Sequence, residues 1–171
     1  MQSVDQSLKI RFDFNSTLVR VSIEDVTPED AVRGPFSGTE QTVRDLVGQM
    51  VGTRHMLLRK LGAEVPNPVD GIYDGVSLPS DTTSLPALTT LHDAWMHVSD
   101  ALGEALVHAD EAVLGKPIDE SIPMGNDVLA ALRFFGWQEC YRVGQLGLLR
   151  LELGYSSIQQ RYYDSRAVDA A

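Results

Sequence analysis

The chain has 171 residues, 43% hydrophobic and 22% charged, a size and balance that fit one globular domain and exclude a disordered tail. A net charge of −10, from 24 Asp and Glu against 14 Lys and Arg with no basic run, argues against a nucleic-acid backbone as partner. One cysteine, Cys140, excludes an internal disulfide and any Cys-x-x-Cys pair.

No apolar run approaches bilayer length, and the first residues, Met1 to Asp13, carry charges around no apolar core. Neither a membrane span nor a secretory signal is expected, and the default compartment is the cytoplasm.

Four long segments read as helices. The first runs from about Ser3 to Asp25, with Leu8, Phe12, Leu18 and Val19 apolar, and stops near Thr27-Pro28. After a Gly/Pro stretch at Arg33–Gly38, the second runs from Thr39, as N-cap, to Leu61. Gly62 is placed as its left-handed C-terminal residue, with Arg59 and Lys60 at the negative end of the helix dipole. Val43, Leu46, Val47, Met50, Leu57, Leu58 and Leu61 give this helix a broad apolar face.

Residues 63–84 hold Pro66, Pro68, Gly71, Gly75 and Pro79 and read as a long loop, of the kind that lines or covers a site. The third helix spans about Pro86, at or near its first turn, to Ala109, with Leu88, Leu91, Trp95, Val98, Leu102, Ala105 and Leu106 inward. Gly115 to Gly125 reads as a connector, and the fourth helix runs from Asp127 to Leu153, stopping at Gly154. A short amphipathic piece, Ser157–Asp164, precedes a flexible tail from 164 to 171. No alternation long enough for a sheet is evident, so the pattern predicts a single all-α domain over residues 1–171, an up-down four-helix bundle with long connecting loops.

The fourth helix carries the chemistry. At 100° per residue one face collects Ala131, Phe134, Phe135, Gln138, Arg142, Gln145 and Leu149, an apolar stripe with three polar groups in its middle. Buried amides and a guanidinium need hydrogen-bond partners, so the stripe implies a polar network or a wet cavity. The opposite face holds Gly136, Cys140, Gly144 and Gly147, and the second helix holds Gly48 and Gly52. Small residues there fit a close backbone approach, either within the bundle or from a second copy of the chain.

The run Phe134-Phe135-Gly136-Trp137-Gln138-Glu139-Cys140-Tyr141-Arg142-Val143-Gly144-Gln145-Leu146-Gly147-Leu148-Leu149-Arg150, closing on Leu153-Gly154, resembles the last-helix signature of the DinB/YfiT-like family. Asp45-Leu46-Val47-Gly48-Gln49-Met50-Val51-Gly52-Thr53-Arg54, with Leu57-Leu58-Arg59-Lys60-Leu61-Gly62, is similar to its second helix. The resemblance implies a four-helix bundle, often a homodimer. In many members a divalent metal sits on three histidines, and some members are thiol-dependent transferases or related isomerases.

The positions matching those histidines are Gln49, Gln138 and Arg142. An amide oxygen is a weak ligand for the metals imidazole suits, and a protonated guanidinium cannot ligate at all. The expectation is therefore a degenerate site with no metal and no cofactor. His55, His92, His97 and His108 lie at spacings that do not chelate on a helix, and read as surface or partly buried side chains.

Arg142 is either an anchor for a small anionic ligand, flanked by Gln138, Gln49 and Gln145, or an internal partner of Glu139 or of a carboxylate on another helix. A thiol-type transferase, with or without metal, is an alternative. Cys140 has no histidine at helical spacing and reads as a buried structural cysteine, while Tyr141 and Tyr73 are generic proton donors. A purely structural or interaction role is the third reading.

Overall fold

In the computed structural model of the chain, residues 6–34, 41–72 and 86–169 are described. Among them the protein is mostly helical. The long elements are α1 (Gln6–Ile23), α3 (Val43–Lys60), α4 (Leu88–His108) and α6 (Val128–Glu152). Between and after them come α2 (Pro28–Ala31), α5 (Glu111–Leu114), β1 (Pro117–Ile122), β2 (Gly125–Asp127) and α7 (Ile158–Asp169).

The helix ends follow local chemistry. Thr42, not Thr39, caps α3: its hydroxyl accepts from the Asp45 backbone N–H while the Asp45 carboxylate accepts from the Thr42 N–H, a closed capping box. Thr39 itself lies outside the described residues. Asp127 caps α6 through the Ala130 N–H at 2.7 Å. Gly62 and Gly154 take φ of +81° and +87° just past α3 and α6, the conformation that ends a helix without a Cβ clash. Pro86 stands outside α4, whose cap residue is Ala87. α7 continues to Asp169, past the end expected near Asp164.

The connector at 115–125 is not plain loop. Ile118, Glu120 and Ile122 alternate half-buried with exposed neighbours, and β1 pairs antiparallel with β2 from Pro117 opposite Asp127 to Ile122 opposite Gly125. Gly125, at φ +133°, closes the turn, and a Cβ there would stand 3.0 Å from that of Ala130. Lys60 at the end of α3 holds Glu120 at 2.6 Å.

Each long helix packs on two others: α3 on α4 and α6, and α1 on α4 and α6. The core between them centres on Phe12, Leu46, Met50, Leu57, Leu91, Trp95, Leu102, Leu132 and Leu146. Side-chain pairs give the directions. Gly136 meets Leu8 and Phe12, Cys140 meets Asn15, and Arg150 meets Ser22 and Asp25, so α1 and α6 run the same way.

Gly103 faces Asp13 while Trp95 donates to the Ser16 carbonyl, so α4 runs against α1. Thr53 meets Arg142 and Lys60 meets the hairpin that precedes α6, so α3 runs against α6. α3 and α4 are thus parallel, which corrects the simple up-down order expected from sequence. Periodicity reports a helix's inward face but carries no sign for its direction. Among the described residues no helix is long and apolar enough to cross a membrane.

Candidate functional site

The middle of α3 presents Gln49, Thr53 and Arg54 to α6, which answers with Gln138, Glu139 and Arg142. All but Gln138 are buried. The inward face of α6 is turned by less than one residue's 100° step from the stripe read off the sequence: Leu132, Glu139, Val143, Leu146 and Arg150 are buried, whereas Phe134, Gln138 and Gln145 sit at its half-buried edge.

That rotation brings in an ion pair the sequence reading missed. Arg54, fully buried, donates from Nε and Nη2 to the two Glu139 oxygens, both at 2.8 Å. Its Nη1 donates to the hydroxyls of Ser16 at 2.7 Å and Ser99 at 2.6 Å, and Nη2 also reaches the Phe12 carbonyl. The guanidinium lies 3.9 Å over the Trp95 ring. One arginine thereby ties α1, α3, α4 and α6 together at a single level. The signal was present in the sequence: Arg54 falls four residues from both Met50 and Leu58, within an apolar face, and a charge there must be paired.

Glu139 is therefore committed to Arg54, and the internal Arg142–Glu139 pair expected as one alternative does not form. Arg142 instead donates from Nη1 to the Thr53 hydroxyl at 3.0 Å, and Thr53 passes its own proton to the Gln49 carbonyl at 2.8 Å. No carboxylate lies within ion-pair distance of Arg142 among the described residues. Burial lowers the pKa of its guanidinium, with the Glu139 charge pulling the other way. The group still stays protonated at neutral pH.

Gln138, one turn before Arg142, has a buried Oε1 with no hydrogen-bond partner. Gln49 is buried one turn before Thr53. Gln145 is half-buried three residues beyond Arg142 and makes no hydrogen bond with it. The structure joins Arg142 to Thr53 and, through it, to the Gln49 carbonyl; Gln138 lies one turn before Arg142 on the same helix, and Gln145 is half-buried three residues beyond it. A protonated guanidinium cannot ligate a metal and amide oxygens are weak ligands for the metals imidazole suits, so Arg142 and Gln138 are poor donors for a divalent ion. Among the described residues no three of His, Cys, Asp and Glu gather as a metal-binding group.

No family model matches the chain. No curated protein and no solved structure matches it either.

The remaining polar residues sort by environment. Cys140 is exposed rather than buried, in contact with the Asn15 amide at 3.4 Å, because the rotation of α6 turns it outward. His55 is buried, not at the surface, with an unpartnered Nε2; desolvation, aided by the charges of Arg59 and His97, lowers its pKa to about 4. It lines a small pocket with Arg59, Glu64 and Asp70. Tyr141 is exposed, and Tyr73 lies outside the described residues.

Arg150 makes a second buried hub, to Asp25 at 2.7 Å and to the Ser22 and Ser156 carbonyls, with Tyr155 beneath it. Every one of its contacts is internal, so its role is to tie the ends of α1 and α6 together.

Proposed function

We propose that the protein is a DinB-like four-helix-bundle member, cytoplasmic and homodimeric, that has exchanged a metal for a guanidinium and binds a small oxyanion at Arg142. One observation carries this reading: among the described residues the buried Arg142 cation is met by a neutral hydroxyl alone, while the nearest acid is consumed by Arg54. A desolvated guanidinium without a counter-charge gains most from a carboxylate or phosphate, which it holds in bidentate geometry. One turn before Arg142, the orphan Gln138 Oε1 gains a partner from any protonated ligand oxygen.

A thermal-shift series with acetate, phosphate and sulfate, run on the native protein and on Arg142→Gln, tests it. A ligand at about a hundred times its Kd adds about 2.7 kcal/mol. That corresponds to a rise of roughly 5–10 °C for a chain of this size. The expected result is such a rise for at least one anion in the native protein and none in Arg142→Gln. Equal responses in both proteins refute the Arg142 anchor.

A further inference from the structure

α6 is apolar on two opposite faces. One is spent on the core. The other carries Phe134, Trp137, Tyr141, Gly144, Leu148 and Leu151, spaced by alternating three and four residues, the seam of a heptad repeat. Such a 3.5-residue period aligns apolar groups along a facing helix, yet no helix among the described residues covers it. Trp137 is 54% exposed, Tyr141 63%, Leu148 46% and Leu151 56%, and a Cβ at Gly144 would meet nothing within 4 Å. The seam contains no charge in a chain of net charge −10.

We infer that this seam is the homodimer interface, formed by α6 packing antiparallel on α6 of a second copy. The inference rests on the homodimer in the reading above and adds its surface and register. In an antiparallel pair each heptad a position faces a d position of the other helix. Set about a two-fold axis between Tyr141 and Gly144, the seam pairs Phe134 with Leu151, Trp137 with Leu148, and Tyr141 with Gly144. Every bulky ring then meets an aliphatic side chain or the one position with no side chain, and the surface is complementary to itself, as a two-fold contact requires.

The area approaches that of a stable dimer. Beside the seam, a groove of about 650 Å³ between α1, α6 and α7 adds exposed Phe14 and Tyr163 to Leu148 and Leu151. Six large side chains, each about half exposed, offer roughly 600 Å² per copy. Their smaller neighbours bring this toward the ~800 Å² per partner of a stable interface.

Light scattering across micromolar to near-millimolar protein reads the outcome. Native protein should give twice the chain mass, and Leu148→Glu should give the chain mass with unchanged helical circular dichroism. In a Cys140→Ser background, Trp137→Cys with Leu148→Cys should cross-link two chains through a short bis-maleimide, whereas Trp137→Cys alone, offset from its own copy by eleven residues or about 16 Å along the helix, should not. A native monomer overturns the homodimer itself. A dimer that survives Leu148→Glu, or that cross-links through Trp137→Cys alone, overturns this interface or its antiparallel register and leaves the homodimer standing.

Discussion

Replacing Glu139 by glutamine keeps the volume of the side chain and removes its charge, leaving the fully buried Arg54 with one amide oxygen in place of a bidentate carboxylate. Breaking a buried ion pair from one side costs about 3–5 kcal/mol, because the surviving charge stays desolvated. Ser16, Ser99, the Phe12 carbonyl and the Trp95 ring remain around Arg54, which places Glu139→Gln near the lower end and Glu139→Ala near the upper.

A cycle of Arg54→Met and Glu139→Met, singly and together, measures the coupling: the double variant removes both charges and fills the space. Phe12 O keeps its bond from the Ser16 hydroxyl, so the double variant should cost less than either single one. Urea unfolding at neutral pH, with constant slope m, gives the four free energies of the cycle. A coupling above about 2 kcal/mol is expected. Additive costs within about 0.5 kcal/mol would show that the pair is not desolvated and would refute the reasoning.

His55 sets an acid response. Its folded pKa of about 4 lies below the unfolded value near 6.5, so the unfolded chain takes up the proton first. Stability is full above pH 6.5 and falls as pH drops toward 4, by no more than about 3 kcal/mol; His55→Gln should flatten urea midpoints measured across that window. Asp25 acts lower down. Burial raises its pKa, but the Arg150 hydrogen bond and charge outweigh this, so its contribution is present above the usual carboxylate range and fades below it. Asp25→Asn should lower stability at neutral pH and narrow the difference from native protein as the solution is acidified.

The glycines of α6 should diverge. A Cβ at Gly147 would press on Ile158 at 3.2 Å, so Gly147→Val should loosen α7 and speed its amide exchange. Gly144→Ala in the Leu148→Glu background should stabilise by about 0.5–1 kcal/mol, read by urea unfolding.

The helices and their ends were legible because they are local. Gly62, Gly154 and Asp127 announce themselves by residue type next to an apolar period. The choice of Thr42 over Thr39 turned on Asp45 closing a capping box three residues on, a finer local cue that the reading passed over. The hairpin at 117–127 escaped notice because Glu120, an acid on its inward side, broke the apolar alternation; its partner is Lys60, sixty residues away.

The same separation hid Arg54 with Glu139, eighty-five residues apart, so that Glu139 was left to Arg142 by proximity in the chain. Polar residues on the stripe pulled the estimated inward face of α6 toward Gln138 and Gln145. The true face is set by what α1 and α3 bring opposite it, and Cys140 moved outward with that rotation. Gln138 and Arg142 keep their i and i+4 relation, because it is a property of one helix, whereas where Gln49 stands relative to them depends on how α3 packs on α6.

The Arg54 hub also bears on how the chain assembles. Its acceptors come from α1, α4 and α6 at once, and each is lost if any helix slides by one turn, about 5.4 Å. A partly docked intermediate must either keep this guanidinium wet or bury it bare. The last helix to arrive therefore completes the electrostatics of all the others, and the four should appear together, late, in pulse-labelled amide exchange during refolding.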